Sequence, residues 1–271
     1  MELQGWQKVI LGEITQAEYL NNINSNQMET LNTTIEKLRD DSEYYGAFGK
    51  QYLSNSDIGT LLTNPTEFRK PQDDNVNFHK GRYFHQLILE PEKAEQVPFI
   101  DVSSRNTKAY KEQATNGIIM LEKEGQEIRD CVDAMMQNLP FFEGIRQDGN
   151  EYEVPSIKTI HGLQWKGKAD IVCNDKLIDL KTTSSISDFK WSARKYNYDS
   201  QCFIYQELFG RPLEFYVVDK TSKQLGIFRP SEEFLERGEQ KVMKAITVYE
   251  KFFSENATED INEFYIQDLL F

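Results

Sequence analysis

The strongest constraint on the fold is a pair of short apolar segments separated by a turn signal. The first covers residues 163–173, and the second, KLIDLK, covers residues 176–181. Between them stands Asn174-Asp175, a dipeptide typical of tight hairpin turns. The pattern predicts two neighbouring strands joined by a hairpin turn, and therefore a sheet at the centre of the molecule.

These two strands carry charged residues in a regular arrangement. Asp170 lies in the first strand and Asp179, nine residues later, in the second. Lys181 follows Asp179 by two positions, and residues i and i+2 of a strand point to one face of the sheet, so Leu180 faces the core. If the strands pair across the turn, Asp170 comes close to Asp179. The sequence thus predicts two carboxylates and one amine that converge on a point.

Two close carboxylates repel each other unless a cation lies between them. Oxygen ligands favour Mg²⁺ or Mn²⁺ over zinc, and an amine beside such an ion can orient or deprotonate a water molecule. This equipment suits metal-assisted hydrolysis of a phosphodiester. The alternative from the residues alone is a solvated pair of strand ends joined by a cross-strand ion pair.

The remaining elements are predicted from caps, breakers and periodicity. Helices are expected first and strands later. A first helix begins at Ser54 with Asp57 and ends at Asn64-Pro65, a second covers Gly81–Glu90, and one or two more occupy residues 104–139. A strand covers Glu153–Ile160, and a long helix that starts at Ser187 runs to Phe209. Two strands then cover Leu213–Asp219 and Leu225–Arg229, and a last helix runs from Pro230-Ser231 to near Phe253. This order indicates an α/β fold, a central mixed β-sheet flanked by helices with an N-terminal helical cover.

Composition excludes several classes of protein. The 271 residues carry a net charge of −13, which argues against broad non-specific binding of nucleic acid but leaves room for a local basic groove. No apolar run is long enough for a membrane helix, and no secretory signal is visible. The three cysteines form no disulfide framework or metal quartet, so a reducing, cytoplasmic setting is expected. No phosphate-binding G-x-x-x-x-G-K-[ST] loop occurs, so no role for ATP is expected.

Four separated blocks resemble the PD-(D/E)XK nucleases, and within them the RecE-like (exodeoxyribonuclease VIII-like) phage and prophage exonucleases. In chain order the blocks are LSNSDIGTLLTNPTEFRK, GRYFHQLILEPE, GKADIV with LIDLKTT, and YDSQCFIYQELFG. The resemblance runs from about Ser54 to about Phe253. It implies a restriction-endonuclease-like core. The residue before Asp170 is Ala169, where the superfamily's name has proline.

The resemblance also implies roles for individual residues. His85, Asp170, Asp179 and the backbone carbonyl of Leu180 match the family's metal ligands, Lys181 matches the catalytic lysine, and Gln201 and Tyr205 match a helix pair that positions the lysine and the DNA end. An acidic residue usually precedes the catalytic strands. Glu153 is the choice here, and Glu151 fits equally well by spacing.

The implied activity is that of a Mg²⁺-dependent double-strand DNA exonuclease, with Mn²⁺ as a substitute. It would act 5′ to 3′ and leave 3′ overhangs for a single-strand annealing protein. The expected partners are DNA ends, that annealing protein and further copies of the chain in a ring-shaped trimer or tetramer, within a bacterial host that carries a phage or prophage. An endonuclease or single-strand exonuclease with the same site, and a catalytically idle DNA-binding or assembly subunit, are the alternatives.

The expected domain division is an N-terminal extension at 1–45, one exonuclease domain at 46–260 and a tail at 261–271. Within the long predicted helix, Lys190, Arg194 and Lys195 either contact phosphate or form a solvated face. The residues alone do not decide between these two readings.

Overall fold

A five-stranded mixed sheet forms the centre of the fold in a computed structural model, which describes residues 8, 15–71 and 73–266. The helices are α1 (Gln16–Lys37), α2 (Asp41–Tyr45), α3 (Asn55–Thr63), α4 (Val76–Leu89), α5 (Pro91–Ala94), α6 (Lys108–Gln113), α7 (Glu122–Met136), α8 (Leu139–Arg146), α9 (Phe189–Lys195), α10 (Tyr198–Phe209) and α11 (Glu232–Phe252). The strands are β1 (Phe99–Ile100), β2 (Met120–Leu121), β3 (Glu151–Ile160), β4 (Leu163–Val172), β5 (Leu177–Thr183), β6 (Leu213–Asp219) and β7 (Leu225–Phe228). Short 3₁₀ turns occupy Gly49–Gln51, Pro65–Glu67 and Ile261–Glu263.

The large sheet has the strand order β3-β4-β5-β6-β7. Strands β3, β4 and β5 form an antiparallel meander, β6 runs parallel to β5, and β7 returns antiparallel to β6. The parallel step requires a crossover, which α9 and α10 supply. Strand β6 lies beside the site strand β5 and is buried along its whole length. The predicted α/β fold with a central mixed sheet is confirmed.

Alternation along β5 sends its side chains to two different layers. Ile178 and Leu180 pack in a core with Phe84 of α4 and Ile128 of α7. Leu177, on the other face, packs in a separate core that includes residues of α9 and α10. Asp179 and Lys181 share the face of Leu177, because residues two apart in a strand point the same way. The site residues of β5 therefore lie towards α10.

The structure corrects the long helix predicted between Ser187 and Phe209. Its residues form two helices, α9 and α10, which are separated at Asn197. Asn197 has a φ of 56°, in the left-handed region that asparagine tolerates better than most residues, and its side chain accepts a 2.7 Å hydrogen bond from Lys241. Helical periodicity continues across such a single-residue break, which is why the pattern suggested one helix.

Other boundaries agree with their caps. Ser54 and Asp57 form the predicted capping box of α3, and Asn64 ends that helix before Pro65. Helix α4 begins at Val76, earlier than the predicted Gly81, because the Asn75 side chain caps it by accepting the backbone N–H of Asn77 at 2.8 Å. The last helix begins after Ser231 and ends at Phe252, close to the predicted bounds.

Glu124 holds the start of α7. Its carboxylate accepts the backbone N–H of Leu121 at 2.9 Å and binds the Arg105 guanidinium at 2.5 and 3.0 Å. Burial alone would raise the pKa of Glu124, but these hydrogen bonds and the Arg105 charge together hold that pKa below its usual value. The ionised form of Glu124 is therefore the form that the fold stabilises.

Residues up to Gln51 and residues from Tyr52 onward form two separate compact units. In the first, α1 begins with a capping box in which Thr15 accepts the backbone N–H of Glu18 at 3.1 Å. The predicted domain bounds at residues 45 and 260 stay a prediction. Among the described helices, none has both the length and the apolar character needed to cross a membrane.

Candidate active site

The site opens where β4 and β5 separate. Their ladder pairs Val172 with Leu177 and Ile171 with Ile178, and it stops before the next positions, Asp170 and Asp179. In place of a ladder bond, a side-chain oxygen of Asp170 accepts the backbone N–H of Leu180 at 2.7 Å. The predicted strand pair thus brings both aspartates to the point where the strands diverge.

Glu153 reaches this point from β3. The register of β3 with β4 pairs Tyr152 with Ile171 and Val154 with Ala169, which sets Glu153 opposite Asp170. No ladder pair forms there, and Glu153 has a φ of 49°, a left-handed conformation that costs free energy for a residue with a side chain.

Glu151, the equal candidate by spacing, pairs with Val172 and is exposed. The geometry therefore favours Glu153 over Glu151 as the upstream acid.

His85 of α4 completes a cluster of possible metal ligands. One ligand atom from each of His85, Glu153 and Asp170 lies within 4.8 Å of the other two. His85 Nδ1 is 3.5 Å from Asp170 Oδ1, and His85 Nε2 is 2.8 Å from the carbonyl oxygen of Leu180. The predicted histidine and carbonyl ligands are therefore adjacent to the acids.

The donor set fits a divalent cation. Burial raises the pKa of Asp170, and the nearby charge of Asp179 raises it further, while His85 and Lys181 act in the opposite direction. A cation beside Asp170 would relieve that cost. The 2.8 Å between His85 Nε2 and the Leu180 oxygen is a hydrogen-bond distance, and it is also close to the roughly 3 Å between neighbouring ligands on an octahedral ion.

Asp179 lies outside this cluster in the described part of the chain, although the sequence predicted it as a ligand. Its Oδ1 accepts a 2.5 Å hydrogen bond from the Gln201 side chain, and its Oδ2 forms an ion pair with Lys181. Asp179 and Gln201 are both buried. In this structure Lys181 therefore supplies the positive charge that a buried carboxylate requires.

Aromatic rings enclose Lys181. Its ammonium nitrogen lies 4.9 Å from the ring centroid of Tyr198 and 5.9 Å from that of Phe215. Burial by itself lowers the pKa of Lys181, but the charge of Asp179, with smaller contributions from Tyr198 and Asp170, raises it above its usual value. No local sequence pattern marks Tyr198, because its contact with Lys181 depends on how α10 packs against β5.

Tyr205, predicted to position the lysine and the DNA end, instead contacts the backbone of β4. Its hydroxyl donates to the Lys168 carbonyl at 3.0 Å and accepts the Lys168 N–H at 3.3 Å. A Cβ at Gly167 would lie 2.9 Å from the Tyr205 ring and 2.7 Å from Leu208. The glycine in the GKAD block, three residues before Asp170, therefore admits α10 close to β4.

Comparison with known proteins supports the fold. A putative exonuclease from Eubacterium rectale has the same fold, with a TM-score of 0.60 and 16% identity over 78% of this chain and 85% of that one. SSO0001, at 15% identity over 69% of this chain and 83% of that one, has a TM-score of 0.28, which supports no conclusion. The search of curated proteins found no match.

A family model described as a PDDEXK-like domain of unknown function, DUF3799, matches residues 62–260. That match covers the described α4, the strands β3, β4 and β5, and α10, which together carry every predicted site residue. The fold and the position of the acidic cluster support a nuclease. The chain belongs to the PDDEXK-like family DUF3799.

Proposed function

We propose that this protein is a Mg²⁺-dependent double-strand DNA exonuclease that degrades one strand 5′ to 3′ and leaves a 3′ overhang. One observation carries the proposal. His85, Glu153 and Asp170 converge within 4.8 Å beside the ion pair of Lys181 with the buried Asp179, in a chain of the PDDEXK-like family. The Eubacterium rectale protein is named a putative exonuclease, and that name supports the choice of reaction.

The proposed ligands are His85, Glu153, Asp170, Asp179 and the Leu180 carbonyl. A Mg²⁺ or Mn²⁺ ion held by these residues would supply positive charge for the phosphodiester and would lower the pKa of a water molecule. Asp170 and Glu153 provide the negative charge that holds the cation in place. The imidazole of His85 is oriented by its contact with the backbone of β5.

Lys181 acts as a hydrogen-bond donor in this proposal. Its raised pKa keeps it in the ammonium form at neutral pH, so it can donate to the attacking water or to a phosphate oxygen. Gln201 holds Asp179 in place from α10, and Tyr205 fixes the strand that carries Asp170. The chain thereby supplies both positioning contacts and charge at the proposed site.

We also propose a ring of three or four copies that encloses the duplex, and delivery of the overhang to a single-strand annealing protein. In such a ring, basic side chains would line the channel, and the acidic side chains that give the chain its net charge of −13 would face outward. Light scattering tests this part: a trimer or tetramer is expected, and a monomer that digests DNA distributively would contradict it.

The activity is tested on linear duplex labelled at either the 5′ or the 3′ end. We expect early release of the 5′ label with Mg²⁺ or Mn²⁺, and none with EDTA or with Lys181→Ala. Early release of the 3′ label would reverse the proposed polarity. No release by folded, metal-bound protein would favour an idle DNA-binding or assembly subunit.

Two further substrates separate the nuclease alternatives. Covalently closed circular duplex should remain intact, since an exonuclease needs an end, and cleavage of the circle would identify an endonuclease. Digestion of single strands with no digestion of duplex would identify a single-strand exonuclease.

A further inference from the structure

Helix α9 and the residue after it expose a row of basic and aromatic side chains. Lys190, Trp191, Arg194, Lys195 and Tyr196 are all exposed, and these five residues are called the α9 strip. Trp191 and Tyr196 are each 57% exposed. Phe189 and Ala193, on the opposite side of the helix, are buried in the core. The strip is therefore the outer face of a helix whose inner face is fixed by packing.

The charge of the strip contrasts with that of the chain. Residues 189–196 contain three basic residues and no acidic one, in a protein with 44 acidic and 31 basic residues. In the described part of the chain, none of the ion pairs involves Lys190, Arg194 or Lys195. Three unpaired cations on one short segment provide a local match for a polyanion.

The cations lie close to the exposed rings. Lys190 and Arg194 are 5.3 and 5.4 Å from the Trp191 ring centroid, and Lys195 is 5.6 Å from that of Tyr196. This spacing places a flat apolar surface next to a positive charge at two positions. Unpaired nucleotides present the complementary pair of features, a base that stacks and a phosphate that is negative.

Ring contacts connect the strip to the proposed active site. The Tyr196 and Tyr198 ring centroids are 6.2 Å apart, and the Tyr198 ring lies 4.9 Å from the ammonium nitrogen of Lys181. A single ring, that of Tyr198, thus lies between Tyr196 and Lys181. A strand with its bases on the strip would pass directly beside the site.

We propose that the α9 strip binds unpaired DNA, with Trp191 and Tyr196 stacking on bases and Lys190, Arg194 and Lys195 contacting phosphates. The active site then receives a strand terminus that is separated from its complement. This inference rests on the proposed nuclease function for its location, and it concerns the form of the DNA that the site accepts.

The test measures binding without cleavage. Fluorescence anisotropy of labelled dT12 is recorded in EDTA for the wild type and for two double variants. The alanine pair carries Trp191→Ala and Tyr196→Ala, and the phenylalanine pair carries Trp191→Phe and Tyr196→Phe. Base stacking predicts a loss of about tenfold or more for the alanine pair and a loss of no more than about threefold for the phenylalanine pair. Tyr265→Ala, at a residue that is 76% exposed, is the matched control and should bind like the wild type.

The salt dependence tests the cations. Changing Lys190, Arg194 and Lys195 to Gln should reduce the slope of log affinity against log salt by about 2, since each single-strand phosphate contact contributes about 0.7. A blunt linear duplex has no unpaired bases, so the alanine pair should lose much less affinity for this duplex than for dT12. Circular dichroism checks that each variant is folded.

Three results would overturn the inference. The first is that the alanine pair binds dT12 with the affinity of the wild type. The second is that the phenylalanine pair loses as much affinity for dT12 as the alanine pair does. The third is that the alanine pair loses as much affinity for the blunt duplex as for dT12. The first would leave the strip as a surface for a protein partner. The digestion assay separates this inference from the proposed function. If the wild type releases the label but the alanine pair keeps its affinity for dT12, only the binding role of the α9 strip is refuted. If the wild type releases no label but the alanine pair loses affinity for dT12 as expected, only the nuclease function is refuted.

Discussion

Gly238 of α11 is the position where a single methyl group should disturb the active-site helix. A Cβ at Gly238 would lie 2.1 Å from the carbonyl oxygen of Asp199, 2.5 Å from its carbonyl carbon and 3.0 Å from the nitrogen of Ser200. All three are backbone atoms of α10, the helix that carries Gln201. We therefore expect Gly238→Ala to push α10 away from α11.

The magnitude follows from two opposing effects. Alanine is favoured over glycine inside a helix by about 1 kcal/mol. Overpacking a close-packed interior costs about 1–3 kcal/mol, and a clash with backbone that cannot rotate away belongs at the upper end of that range. Gly238→Ala should therefore lower the free energy of unfolding by about 2 kcal/mol. For a protein of this size that corresponds to a fall of about 4–8 °C in Tm.

Gly81 of α4 provides the matched control. A Cβ there meets nothing within 4 Å, so Gly81→Ala should gain up to about 1 kcal/mol from helix propensity alone. Urea unfolding and thermal unfolding of both variants measure the two effects. A Gly238→Ala variant as stable as the wild type would refute the close approach of the two helices.

Three further outcomes are expected. Glu153→Gln should weaken Mn²⁺ binding, measured by calorimetry, by about tenfold or more, while Glu151→Gln leaves it unchanged; equal losses would contradict the cluster geometry. Gln201→Ala removes the side chain that donates a hydrogen bond to the Asp179 carboxylate, and it should lower the cleavage rate by about tenfold with little change in Tm. Gln206→Ala on the same helix should leave the cleavage rate unchanged. A similar rate in both variants would argue against a positioning role for Gln201. Because the folded-state pKa of Glu124 lies below its usual 4.5, its contribution to stability is present above pH 4.5 and is lost as the pH falls through the lowered value. Glu124→Gln should thus cost about 1 kcal/mol at neutral pH and progressively less in acid, as measured by urea unfolding, and a cost that persists or grows in acid would contradict this sign.

Much of the fold was predictable because its signals are local. The hairpin at Asn174-Asp175, the capping box at Ser54 and the alternation of KLIDLK each depend on residues close in sequence. The break at Asn197 was missed, because a single left-handed residue leaves the helical periodicity of its neighbours intact. Its consequence is large, since the break separates the basic α9 from the α10 helix.

The sequence by itself determined the strand pair that carries Asp170, Asp179 and Lys181, and with it the kind of chemistry to expect. Side-chain spacing in a strand is a property of the local backbone, so alternation alone assigns Asp179 and Lys181 to one face, and the hairpin turn brings Asp170 near them. Glu153 was distinguished from Glu151 only by the register of β3 against β4, and Gln201 was brought to Asp179 only by the packing of α10. These arrangements join residues far apart in the chain, where only the tertiary fold sets distance and direction.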